Sequence, residues 1–183
     1  MQIDVPFFSQ YASDISEEWQ HRSCGIVALR MALTAKRATG VGSTPLLIQE
    51  GIDAGAYLPT VGWKHDGLLG LAEAHGVHAY RREFGTRVFP WRIRKLLAPI
   101  SNWFAGPGIR ALRDALDKGT IPIVSVTLTS TDTHLVVLMG YETGAKPGFY
   151  YNDSAGNEYE NKARFMDIPT FSKRWRQMAL FIG

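Results

Sequence analysis

An α+β fold is the class this sequence predicts, and three features predict it. Apolar residues recur at helical spacing through the first part of the chain and at strand spacing in the last third. The strand-like runs there are separated by short turns, which suit antiparallel pairing rather than βαβ crossovers. The 183 residues, 45% hydrophobic and 20% charged, suffice for one sizeable core and are too apolar for a disordered chain. One domain spanning 1–183 is therefore expected.

The elements follow in order. Residues 3–10 have extended character with Pro6 among them, and 13–22 are polar, a loop or short turn. A helix is predicted over 24–37. Ile26, Leu29 and Leu33 share one of its faces, and Ser23 sits where an N-cap would. Residues 40–43 break the pattern. Helices are predicted over 44–51 and 63–75. The second carries an apolar stripe from Leu68, Leu69, Leu71 and Ala72, and Gly76 ends it. A strand over 77–82 precedes helices over 92–97 and 108–118. Residues 121–128 alternate and are rich in β-branched side chains, so they read as a strand. Residues 134–141 (HLVVLMGY) are apolar on both faces, as in a central strand. After a turn at 144–148, 149–153 (FYYND) forms the next strand, and 178–182 closes the chain as a short one.

Composition excludes several classes. A net charge of +3 favours acidic partners weakly and is too small to argue for nucleic acid. No apolar run reaches the ~20 residues of a membrane helix. Residues 1–6 include Asp4 and lack the basic and then apolar pattern of a signal peptide. No membrane partner and a cytoplasmic location are expected. The single cysteine, Cys24, rules out an intramolecular disulfide and a multi-cysteine zinc site.

Cys24 itself is the first candidate for chemistry. A lone cysteine is ordinarily a small buried apolar residue. At the start of a helix, however, free backbone N–H groups and the helix dipole stabilise a thiolate and make it a better nucleophile. Gly25 next to it would allow close approach of substrate, or simply tight packing of the helix. A thiol nucleophile needs a base. Of five histidines, His21 is close along the chain. His65, His75 and His78 lie on or beside a predicted helix and strand, where solvated or packing roles are expected. His134 opens the most apolar strand in the chain, a place where a titratable residue is put to use. A third group must fix its tautomer. Facing residues of an antiparallel hairpin have a constant index sum, and His134 with Asp153 gives 287, centred between Thr143 and Gly144. Asp132 and Asn152 compete. Asp132 lies in a polar loop, and strand alternation puts Asn152 on the face opposite Asp153.

At this point the chain resembles papain-like cysteine peptidases, in the order Cys, strand His, then Asp after the next strand. More narrowly it is similar to the bacteriocin-processing peptidases, family 39 of the cysteine class, and their stand-alone bacterial relatives. The matching pieces are the VPFFSQ block from Val5 to Gln10 and Ser23-Cys24-Gly25 with its helix. The others are Ile121 to Val124, His134 to Tyr141, Tyr151 to Gly156, and the aromatic segment Phe171 to Trp175. Residues 35–102 match only as a helical region. The resemblance implies a papain-like fold, an N-terminal helical part packed on a C-terminal antiparallel sheet. It implies Cys24 as nucleophile, His134 as general base and then acid, and Asp153 as its orienter. It also implies an upstream glutamine as oxyanion donor. Gln10, in the VPFFSQ block, is favoured over Gln20, four residues before Cys24. The implied activity is thiol-dependent hydrolysis of a peptide or protein substrate through an acyl-enzyme, with no metal or organic cofactor. The double-glycine leader substrate of the transporter-linked members is not inherited, because the chain carries no nucleotide-binding motif.

Other functions need the same residues or different ones. An acyltransferase or amidase would use the same triad and differ only in product. A catalytically silent relative would keep the fold and bind peptides. A nucleic-acid module could use Arg81, Arg82, Arg87, Arg92, Arg94 and Lys95 with Phe84, Phe89 and Trp91. A solvated face over aromatic packing is the favoured reading of that cluster.

Overall fold

The computed structural model describes residues 2–85, 101–127 and 133–183. The helix expected over 92–97, Asp132, and the basic and aromatic residues between Arg87 and Lys95 lie outside those. The chain folds around a six-stranded antiparallel sheet. Its strands are β3 (Ala79–Glu83), β4 (Ile121–Thr127), β5 (Thr133–Glu142), β6 (Gly148–Asn152), β7 (Arg164–Asp167) and β8 (Trp175–Ile182), in the order β3-β8-β4-β5-β6-β7. Alternation along β4, β5 and β8 sends successive side chains to two cores. Ile123, Val137 and Leu180 meet the helices α2 (Cys24–Ala35), α3 (Thr44–Asp53) and α4 (His65–Ala74). Val124, Val136 and Phe181 meet Ile109, Leu112 and Leu116 of α5 (Ser101–Asp117) and Phe171 of α7 (Ile168–Arg174). Both faces are covered, which is why β5 reads as a continuous apolar run, whereas β4, expected to alternate, is buried on both faces from Ile121 to Val126. Among the described residues, no helix is long and apolar enough to cross a membrane.

Helix α2 is the hub of the first layer. Ile26, Leu29 and Leu33 are all fully buried, as their spacing requires. Each such side chain contributes about 1.5–3 kcal/mol. Ser23 occupies the N-cap position, but its side chain makes no cap hydrogen bond and its hydroxyl is buried without a partner. Residues 3–10 do not join the sheet as a strand. They form a strap, and Gln2 just before it makes an isolated bridge to Gly140. Four features were not expected from the sequence. They are α1 (Glu17–Gln20), the hairpin of β1 (Tyr57–Leu58) and β2 (Gly62–Trp63), and the segment of α6 (Glu158–Asn161), β7 and α7. The fourth is the early start of α5, which continues through Pro107. Trp63 therefore belongs to a strand, and α4 begins two residues later than the start expected at 63.

The β5–β6 pairing decides the geometry of the site. Near the turn, Glu142↔Gly148 and Tyr141↔Phe149 give an index sum of 290, whereas Leu138↔Tyr151 and Val137↔Asn152 give 289. A bulge at Met139 makes the change. An even sum would put His134 and Asp153 on opposite faces, and an odd sum puts them on the same face. Continuing the odd register by one residue sets Asp153 opposite Val136, one same-face step from His134. The Met139 carbonyl, displaced from the ladder, accepts from Ile3 N–H at 2.6 Å. The strap thus satisfies the group that the bulge frees.

Candidate active site

Cys24 is the first residue of α2, so its own N–H and those of the next residues have no partner within the helix. It lies against the sheet where β5 begins. His134 is buried, and its Nε2 meets Asp153 Oδ1 at 2.7 Å. With that nitrogen taken, Nδ1 is the ring atom left for the Cys24 side chain, with which His134 also interacts. Asp153 Oδ1 further accepts from Ala155 N–H at 3.0 Å, and Arg164 approaches Oδ2 at 3.8 Å. The structure therefore brings together the three residues singled out by sequence.

The electrostatics fit a thiolate–imidazolium pair. Burial pushes the Cys24 thiol up. The hydrogen bond and positive charge of His134, with the N–H groups of Leu135 and Gly25, outweigh burial and leave the thiol below its ordinary value. Burial pushes His134 down, but hydrogen bonds with Asp153 and Cys24 and the charges of both carry it up to about 9. Burial likewise raises Asp153, and its bond to His134 overrides that and holds the carboxyl below the usual range. In each case a desolvated charge is retained because an opposite charge is in contact with it.

The residues that flank Asp153 are fixed by the strap. Asn152, fully buried, donates from Nδ2 to the Val5 carbonyl at 3.1 Å and accepts from Ala163 N–H at 2.8 Å. Ser154 donates to Gln10 Oε1 at 2.9 Å, and its carbonyl accepts from Gln10 N–H at 2.9 Å. Gln10 Nε2 donates to the Gln20 carbonyl at 2.8 Å, and Gln20 Nε2 donates to the Ile15 carbonyl at 3.1 Å. Neither glutamine is among the walls of the cavity at Cys24.

That cavity has a volume of about 530 Å³, and Cys24, His134 and residues of the β1–β2 hairpin are among its walls. Trp63 Nε1 donates to the Arg22 carbonyl at 2.8 Å, which ties the hairpin to the turn before the cysteine. The space beside Gly25 is filled by Leu68, Trp63 and Leu135, so its lack of a side chain serves packing. His21, set aside as close along the chain, and His65, expected to be solvated or packed, both line the cavity. So do Lys64 and Arg176, which carried no sequence signal, because only the tertiary fold brings them there. His75 lies elsewhere and bonds Thr39 and Glu50.

A thiol, an imidazole and a carboxylate in this relation resemble the peptidase pattern noted above, and the comparisons bear on it. The Peptidase_C39 like family matches residues 2–180. The chain belongs to that family. No curated protein matches it. Several solved structures share the fold of this C39-like chain, two of them peptidase domains or proteases of transporters. One is a double glycine motif protease from an AMS/PCAT transporter in complex with the leader peptide. It has a TM-score of 0.58 and 17% identity, with 99% of this chain and 93% of that one covered. The other is the peptidase domain of Streptococcus ComA, a bi-functional ABC transporter involved in quorum sensing. It has a TM-score of 0.59 and 16% identity, with 89% of this chain and 92% of that one covered. The C39-like chain therefore has the papain-like fold of those peptidase domains, mixed helix and antiparallel sheet, and belongs to a peptidase-like family.

Proposed function

We propose that this chain is one cysteine peptidase domain that hydrolyses a peptide bond through a covalent acyl-enzyme. The observation that carries the reading is the 2.7 Å contact of His134 Nε2 with Asp153, which leaves the other ring nitrogen for Cys24. Family membership supports a peptide as the substrate class. The Cys24 thiolate attacks the scissile carbonyl carbon. The resulting oxyanion is met by the Cys24 N–H at the helix start. Gln10 is the candidate for a second donor, through the amide hydrogen that it does not give to Gln20. His134 passes its proton to the leaving amine, and a thioester remains. His134 then takes a proton from water, the hydroxide attacks the thioester, and the acid leaves as Cys24 is restored. Asp153 holds the imidazole in the tautomer and orientation that both transfers need.

The test is alkylation of the single cysteine followed by intact mass as pH is varied. Labelling should titrate well below the free-thiol value of ~8.5 and should slow in His134→Ala. Labelling that appears only on unfolding would make Cys24 a core residue and end the peptidase reading. A quenched peptide library then reports hydrolysis, and product masses distinguish water from an amine as the acceptor.

A further inference from the structure

The walls of the Cys24 cavity carry one sign of charge. Lys64, Arg176, Arg22 and His65 line it, and among the described residues no aspartate or glutamate does. The neighbouring acids are already engaged. Glu18 pairs with Arg22 at 3.3 Å, and Asp66 and Glu83 each contact Arg81 at 3.5 Å. Lys64 and Arg176 have no ion pair among the described residues. Two structural devices put these cations where they are. Lys64 is the residue just before α4, fixed by its N–H to the Ala56 carbonyl at 2.9 Å. Arg176 lies in a bulge of β8. Val124↔Ala179 and Val126↔Trp175 leave three residues of β8 opposite Ser125, and Gln177 in that bulge has φ +56°. Bulges of this kind re-aim side chains beside functional sites, and Ser125 lines the same cavity. His65, which also lines it, is held below its ordinary pKa by burial first and then by the charges of Arg81 and Arg176, against Asp66 and Glu83, which raise it.

We propose that this cavity selects a peptide bearing a carboxylate close to the bond that Cys24 attacks, with Arg176 and Lys64 as its counter-ions. The proposal rests on Cys24 acting as a peptidase nucleophile and adds the chemistry of its substrate. A carboxylate can come from an Asp or Glu side chain or from a chain terminus. Both present the same anion, and a cavity of about 530 Å³ is roomy enough for either. Two exposed cations acting together favour the anionic member of a matched pair by up to about tenfold, and salt weakens that preference.

The experiment measures binding of labelled hexapeptides to Cys24→Ala, so that no turnover is needed. One set exchanges Glu for Gln at each position in turn, and a second exchanges a C-terminal carboxylate for an amide. The anionic members should bind about tenfold more tightly at low salt. The set that shows the preference identifies the source of the carboxylate. Adding Arg176→Glu and Lys64→Glu to that background should abolish or invert the preference. Lys173→Glu, on α7, changes the net charge by the same amount as one of these and should leave it intact. Equal binding of charged and neutral members, no binding by any member, or a preference that survives both reversals overturns the proposal. Iodoacetamide labelling of the wild-type chain is read in parallel. Fast labelling with charge-blind binding overturns the specificity alone. Acidic-peptide binding without labelling overturns the peptidase reading and leaves an anion site.

Discussion

At the scale of residues, the catalytic reading turns on two titrations that have been moved apart. Cys24 sits below its ordinary value and His134 is raised to about 9. The ion pair therefore exists from the lowered thiol value up to about pH 9, and a bell-shaped rate profile is expected between those limits. Asp153 supplies part of the upper limit. Asp153→Asn removes the charge that holds the imidazolium, so the His134 pKa should fall toward ~6.5 and the alkaline limb should move to lower pH. Rate should fall by about 10²–10⁴. An alkaline limb that stays in place would mean that Asp153 does not set the His134 titration. Gln10 permits a sharper separation. Gln10→Ala should lower kcat by about 10²–10³ if its amide meets the oxyanion. It should lower only the unfolding midpoint if the side chain is an anchor for Gln20 and Ser154. Measuring both kcat and the urea midpoint separates the two.

At the scale of elements, the hairpin β5–β6 and the strap explain what the sequence made legible. The expected index sum of 287 differs by two from the 289 found beyond the bulge, and an even error leaves every residue on its own face. His134 and Asp153 could therefore be paired by counting, although the bulge at Met139 left no mark in a run that is apolar on both faces. The helix at Cys24 was legible because its apolar spacing and its start at a small polar residue agree. The β1–β2 hairpin was not, because two-residue strands carry no periodicity. Nor was the bulge that places Arg176, because it exists only in the register of β8 on β4. The strap was readable as extended chain but not as the support of Asp153. Asn152 is where that support is tested. Asn152→Ala leaves the Val5 carbonyl and the Ala163 N–H without their partner in a buried place, at a cost of about 2–4 kcal/mol. A urea midpoint within error of the wild type would show that the strap does not hold the end of β6.

At the scale of the whole molecule, the site stands where the α2 layer meets the sheet, so anything that loosens that layer also separates Cys24 from His134. One clamp on the layer is sensitive to pH. His75, at the end of α4, is buried between two acceptors, with Nδ1 2.9 Å from the Thr39 carbonyl and Nε2 3.1 Å from Glu50 Oε2. Both acceptors are met together only when both ring nitrogens carry a proton, so the two contacts favour the imidazolium. Burial lowers its pKa, but the bonds to Thr39 and Glu50 outweigh burial and raise it. A raised folded-state value means that the native chain binds the proton more tightly than the unfolded chain does. The clamp therefore contributes fully below the unfolded value of ~6.5 and fades as pH rises through the folded value. Glu50 is half exposed, so its share is screened by solvent. His75→Leu should cost about 1–2 kcal/mol at pH 5–6 in urea unfolding. The gap to the wild type should narrow steadily as the buffer is made alkaline. A gap of constant size across that range would mean that the ring acts by packing alone. The joint between α3, α4 and residue 39 would then hold without a charge.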